Sequence, residues 1–233
     1  MDARRKTAGT RAEAAPAPAV PSGPRAARKR EAILDAARRV FLREGFGAGV
    51  DLLAAEAGVS KVTLYNHFGS KERLFMAVIG QTLDEALGES QAVIHERLAE
   101  AVDVRAALVQ TCRAWVQGLT TPEVLALRDL IAAERRRFPE LGRTWLERGP
   151  TRQHAAIAAA LDRLVARGRL RIADTEVAAL QLAGLVLHPH LVLSQYSGGV
   201  DPQLVERLIE NGVDLFLSGY EAAARVPEAR RPD

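Results

Sequence analysis

From Lys29 to Tyr220, apolar residues return every three or four positions and almost never alternate. That 3.6-residue period is the signature of amphipathic helices. Ile33, Ala37, Val40 and Phe41 share one face of a helix that closes at Gly45. Val104, Leu108, Cys112, Trp115 and Leu119 repeat the spacing. Thr121-Pro122-Glu123 then offers a cap, a first-turn proline and a first-turn acid to a helix ending in Arg135-Arg136-Arg137. Pro139 and Gly149-Pro150 punctuate the next segment, and a further helix is predicted from about Thr151 to Arg167. Asp174 can cap an apolar helix reaching Tyr196 and kinked at Pro189. Asp201-Pro202 opens the last helix, with a stripe of Val205, Ile209, Val213, Phe216 and Tyr220. With no strand pattern and no repeat, the fold class is all-α.

A chain of 233 residues, 48% of them hydrophobic, can bury one small and one larger core. Residues 1–26, rich in Ala, Pro and Arg, have too few large apolar side chains to offset the entropy of ordering, and are expected to form a disordered basic arm. Residues 1–30 carry eight Lys/Arg against Asp2 and Glu13, whereas residues 31–76 balance six basic against six acidic. The positive excess is therefore a tail, which either meets a polyanion or merely solubilises the chain. Cys112 is the one cysteine, so it forms no intrachain disulfide and is expected to be a buried apolar residue. The N-terminus has no secretory h-region, and the most apolar window, Val177 to Leu193, contains His188, Pro189 and His190 and is read as short for a membrane span. The expectation is a cytoplasmic protein with no membrane partner.

The stretch GVSKVTLYNHFGSKE, Gly58 to Glu72, crowds hydrogen-bonding side chains together. Upstream, a short helix ends near Ala57. Gly58 is free to take positive φ, and Ser60 can cap a second helix. Two helices meeting through such a tight turn form a helix-turn-helix. Leu53, Ala57, Val59, Leu64 and Phe68 fall at the apolar positions of that unit. Lys61, Val62, Thr63, Tyr65, Asn66 and His67 are left mostly outside, a face suited to a DNA major groove. There Lys61 and Asn66 can read base edges, Val62 can meet a thymine methyl, and Thr63, Tyr65 and His67 can donate to phosphates. Ser70 caps the next helix, placing Lys71 and free N–H groups where a phosphate can bind.

These residues, within ILDAARRVFLREGF and LAAEAGVSKVTLYNHFGSKERLF, resemble the DNA-binding domain of the TetR family of bacterial transcriptional repressors over about 45 residues, Ile33 to Phe75. The resemblance implies a homodimer that binds double-stranded DNA at a palindromic operator and releases it when a small-molecule inducer enters the C-terminal domain. The positions matching the family motif are Ser60, Lys61, Val62, Thr63, Tyr65, Asn66, His67 and Lys71. One departure stands out. Between Gly45 and Ala57 the chain is one residue shorter than the usual pattern, with Ala48-Gly49 where a Thr or Ser commonly starts the second helix, so no hydroxyl stands at that point for a phosphate.

The phrases LRDLIAAERRRFPELG, GPTRQHAAIAAALDRLVARGRLRIAD and EVAALQLAGLVL are similar to AefR-like C-terminal regions of that family. The expected layout is an arm (1–26), a three-helix DNA-binding domain (27–76), a larger helical ligand-binding and dimerisation domain (77–224) and a tail (225–233). The last two long helices would form a four-helix dimer interface. Trp115, Leu130, Trp145, Leu161 and His188 are the candidate ligand-binding residues. No cofactor or metal is expected: His188 and His190, two apart on a helix, point to different sides. GFGAGV lacks the last glycine of a nucleotide loop and follows a helix rather than a strand. No Ser-His-Asp set or paired carboxylates can be placed, so the chain reads as a regulator and not an enzyme. The competing reading is a DNA-binding protein of the same fold without a small-molecule response, which the lack of an internal cavity would favour.

Overall fold

The computed structural model describes residues 21–197 and 199–220. Within them the regular elements are helices, with one isolated bridge at Leu170; next to it the Arg171 N–H donates to the Tyr220 carbonyl at 2.8 Å. Helix α1 spans Pro24–Glu44, α2 Val50–Glu56, α3 Lys61–Phe68 and α4 Lys71–Val93, the last running on as a π turn over Ile94–Leu98. Then come α5 (Val104–Leu119), α6 (Pro122–Glu134) and α7 (Pro139–Leu146). A second π turn (Glu147–Thr151) leads into α8 (Arg152–Ala166), followed by α9 (Thr175–Val186), α10 (His188–Ser197) and α11 (Pro202–Tyr220).

Two boundaries differ from expectation. Helix α1 begins before Lys29 because Pro24 sits at its first turn with φ already set, and Ala26-Ala27 continues with high helix propensity. Residues 24–26 therefore belong to the helix, while residues 1–20 of the expected arm and the tail at 225–233 lie outside the described residues. Gly149-Pro150 does not end a helix. The wide π turn takes up the proline's missing N–H, and Gly149 packs against the Leu83 side chain, 3.3 Å from where its Cβ would stand. The apolar stretch Thr175–Ser194, 20 residues at mean hydropathy 1.6, is long enough by composition to cross a membrane, contrary to the short window read from the sequence. It breaks near Leu187, next to Pro189, and buries Ala178, Ala179, Leu182 and Val186 in the core.

The core has two parts. Ile33, Val40, Phe41, Leu53, Leu64 and Phe75 build the N-terminal one, with Phe41 edge-on to Phe75 at 4.7 Å. It does not stop where the DNA-binding domain was expected to end: Leu127, Ile131 and Leu141 of α6 and α7 belong to it, and Phe138 meets Phe46 at 4.8 Å. The second part joins Leu98, Leu108, Trp115, Ile157, Leu161, Leu182 and Val213. Helix α4 serves both, contributing Phe75, Ile79 and Leu83 to the first and Leu87 to the second.

Where α4 crosses α5 the backbones nearly touch. A Cβ on Gly118 would lie 1.8 Å from the Ala86 carbonyl oxygen, so no other residue fits without parting the helices. Gly118→Ala is expected to destabilise the fold by about 1–3 kcal/mol, the usual cost of forced overpacking. Gly88→Ala, on the open side of α4, should instead stabilise it by about 0.5–1 kcal/mol. Urea unfolding of the two variants checks both signs.

Candidate nucleic-acid interface and sensor region

Helix α3 is fixed at both ends before anything binds it. Gly58 turns the chain at φ 61°, and the Ser60 Oγ accepts the Thr63 N–H at 3.1 Å. The same Oγ lies 2.9 Å from Thr63 Oγ1, so these two side chains serve the cap as well as the surface. Leu64 and Phe68 are buried. Val62 (67% exposed) and Tyr65 (40% exposed) stand in solvent beside Lys61 and Asn66, which gives apolar, hydroxyl, amide and ammonium groups on one short face. Lys61 Nζ rests 2.7 Å from Asp51 Oδ1 on α2, an exposed pair that water and salt weaken easily.

Two expected surface contacts take other roles. His67 is 6% exposed rather than outside: it lies at the buried end of α3, its ring centroid 6.3 Å from that of Phe68, and Nδ1 has no hydrogen-bond partner among the described residues. Burial, then the nearby Arg30 and Lys29, lowers its pKa. Lys71, partly exposed, turns back onto the protein. Its Nζ donates to the carbonyls of Phe46 (2.9 Å) and Ala48 (3.3 Å) and sits 4.7 Å over the Phe46 ring, clamping the α1–α2 loop to the start of α4. Ser70 still caps α4, accepting the Arg73 N–H at 3.2 Å, while Gly49 starts α2 without any side-chain cap.

Sequence reasoning passed over Arg30. Its guanidinium covers the Phe68 ring at 4.3 Å and donates to the His67 carbonyl at 3.3 Å, tying the first turns of α1 to the end of α3. The signal was present only as one of several arginines in a basic run. Arg25, Arg28 and Lys29, on those same turns, are exposed.

The five candidate ligand residues do not converge. Trp115 and Leu161 are buried in the second core, Leu130 and Trp145 pack against the first, and His188 is exposed at the start of α10. Helical periodicity correctly assigned most of them to inner faces, but it could not say which core each face meets. A cleft of about 550 Å³ lies elsewhere, where α5, α6, α10 and α11 meet. Val116, Leu125 and Val205 give it an apolar wall, with Gln117, His190 and Glu206 beside them. Among the described residues no three His, Cys, Asp or Glu side chains are grouped to hold a metal.

Comparison with known proteins identifies two matched regions. Residues 33–78 match the family model for bacterial regulatory proteins of the tetR family, and residues 106–222 that for the AefR-like transcriptional repressor C-terminal domain. The chain is 28% identical to the transcriptional repressor AcnR of Corynebacterium efficiens over 90% of its own length and 99% of that protein's. It is 32% identical to the repressor Rv1474c of Mycobacterium tuberculosis over 81% and 94%. A solved TetR-family transcriptional regulator from Mesorhizobium loti superposes with a TM-score of 0.78 at 33% identity, covering 85% of this chain and all of that one. The flavonoid-responsive regulator FrrA gives 0.68 at 29%, with 85% and 100% covered.

His67, His154 and His190 all have pKa values lowered chiefly by burial, so each is neutral in the fold at neutral pH. Below about pH 6.5 the unfolded chain takes up protons that the folded chain resists. Stability should therefore be fully present above that value and fall as the pH drops toward the lowered folded values. His67→Leu is expected to flatten this decline, which melting curves between pH 8 and pH 5 will reveal.

Proposed function

The chain belongs to the TetR family of bacterial regulatory proteins and is a DNA-binding transcriptional regulator, and from that premise we propose a homodimeric repressor that leaves a palindromic operator when a small molecule binds. The observation that carries the DNA-binding half is the exposed face of α3, with Val62 and Tyr65 in solvent where a folded helix would otherwise bury them. In this reading Lys61 and Asn66 address base edges, Val62 a thymine methyl, and Tyr65 with the Ser60 and Thr63 hydroxyls the phosphates. His67 and Lys71 act through position: one seats α3 on the first core, the other holds the α1–α2 loop. The protein works in the cytoplasm, as befits a relative of bacterial transcription regulators.

Dimerisation is proposed to use the outer face of α9, α10 and α11. Only 28% of the apolar stretch Thr175–Ser194 is buried, and Val177, Leu180, Val192 and Leu215 remain exposed on these helices. Pairing that surface with its own copy would remove an apolar patch that a monomer rarely leaves bare. It would also hold two α3 helices about 34–36 Å apart, as reading of successive major grooves demands.

The sensor half rests on the cleft and on how its wall reaches the head. Leu125 of α6 lines the cleft, while Leu127 and Ile131 of the same helix lie in the first core. At the start of α6, Glu123 pairs with Arg38 of α1 at 3.1 Å, and Arg38 also holds Glu85 of α4 at 2.6 Å. A ligand that prefers one position of α6 therefore biases the placement of α1 against α4 through packing and charge. That FrrA is a flavonoid-responsive regulator favours a small-molecule response here.

Three variants test this reading on an operator fragment selected from genomic DNA. Lys61→Ala should weaken binding and reduce the slope of log K against log salt by about one. Asp51→Asn, which frees Lys61 and removes a carboxylate beside DNA, should tighten it; unchanged affinity in both would remove α3 from the interface. Leu180→Glu should give monomers in sedimentation and lose operator binding, and a variant that stays dimeric would place the dimer face elsewhere.

A further inference from the structure

Helix α3 has only eight residues, too few to be stable unaided, so whatever fixes its ends decides where its exposed face points. The two ends are held differently. At the start, the Ser60 Oγ accepts the Thr63 N–H, a cap made within the segment itself. Leu64, in the middle, is fully buried. At the far end Gly69 leaves the helix at φ 77°, its N–H donating to the Tyr65 carbonyl at 2.7 Å. The last carbonyls of a helix have no donor within it and must find one outside.

Arg30 supplies that donor. Its Nη1 donates to the His67 carbonyl at 3.3 Å, and the guanidinium lies 4.3 Å from the centroid of the Phe68 ring. One planar cation thus meets a helix-end carbonyl, where positive charge is favoured, and covers the last apolar anchor of α3. It does so from α1, 37 positions away, whose own place is fixed by Ile33, Ala37, Val40 and Phe41 in the first core. Arg25, Arg28 and Lys29 on the same turns stand exposed, whereas Arg30 is half-buried. Loss of the guanidinium would free the end of α3 that bears Tyr65, Asn66 and His67, and leave the capped start with Lys61 and Val62 in place.

We propose that Arg30 is a positioning residue for DNA reading: it touches no base, but holds the second half of α3 in the orientation from which Tyr65 and Asn66 reach the DNA. The inference rests on the reading of α3 as the DNA-facing helix, and adds to it a residue outside that helix on which sequence discrimination depends.

The test compares the full chain and its variants on the operator fragment and on a non-operator duplex of the same length, over a range of salt. Arg30→Ala should weaken operator binding about tenfold, the worth of one well-placed hydrogen bond. Affinity for the non-operator duplex and the slope of log K against log salt should stay as they were, since no phosphate contact is lost. Arg30→Lys keeps the charge but not the planar fork, and should recover little. In an Asn66→Ala background Arg30→Ala should cost about twofold or less, because the contact it misplaces is already gone, whereas its loss should multiply in full with that of Lys61→Ala. Arg30→Met, which keeps an apolar stem over the Phe68 ring, stands in should Arg30→Ala not fold. A salt slope lowered by about one, with affinity restored by Arg30→Lys, would make Arg30 a phosphate contact and overturn the proposal. Undiminished operator affinity of Arg30→Ala, or losses that multiply in full with Asn66→Ala, would overturn it too, while leaving the α3 reading intact. If Lys61→Ala and Asn66→Ala both bind the operator as the parent does, the α3 reading itself fails and this role with it.

Discussion

Contact between α4 and α5 at Gly118 governs how the two halves of the molecule meet. The α4 backbone at Ala86 lies where a Cβ on Gly118 would have to be, so these two helices are held at a separation set by main-chain atoms and not by adjustable side chains. Above that crossing α4 carries Phe75 and Ile79 into the first core; below it, Leu87 enters the second. A rigid crossing makes α4 a fixed reference against which other elements can shift. A second tight approach, of Gly212 on α11 to Val186 on α9 (2.8 Å from a notional Cβ to Cγ1), fixes the far side of the second core in the same manner. Helix α6 contains no glycine and touches both the cleft and the head.

The head was legible in the sequence because its determinants are local. A serine three residues before an N–H that needs an acceptor, a glycine where φ must be positive, and apolar residues at helical spacing all act within one or two turns, and Ser60, Gly58, Leu64 and Ser70 did what their neighbours predicted. His67 and Lys71 were misplaced for the opposite reason. Their fates are set by partners 25 or more positions away, Phe46 for the lysine and Arg30 for the histidine's surroundings. A helical wheel places a residue at the edge of a face; it does not say what rises to cover that edge.

The sensor half shows the same limit more strongly. Trp115 and Leu130 both sit on inner faces, yet one enters the second core and the other packs on the first. By sequence spacing, His190 was only the second half of a poor metal pair with His188. The break near Leu187 and Pro189 turns the chain so that His188 faces solvent and His190 goes inward. The same proline that argued for a kink thus lies where the two histidines part, but only the packing of α10 against its neighbours reveals the direction.

Acidic and basic residues balance over residues 31–76 of the head, and several of the cations there already have partners: Lys61 with Asp51, Arg39 with Glu56, Arg43 with Glu44 and Lys71 with two carbonyls. Binding DNA is then largely an exchange of partners. Lys61 gives up an exposed carboxylate, a contact worth under about 1 kcal/mol, for a site of far higher negative potential. Arg25, Arg28 and Lys29 need no such exchange, since they stand exposed on the first turns of α1. Attraction to the polymer can therefore come from the first turns of α1, while Lys61 of α3 engages only once the helix is seated closely enough to reward breaking its pair with Asp51. Such a division keeps nonspecific attraction and close reading on different residues, and it follows from where the acids were placed as much as from the bases.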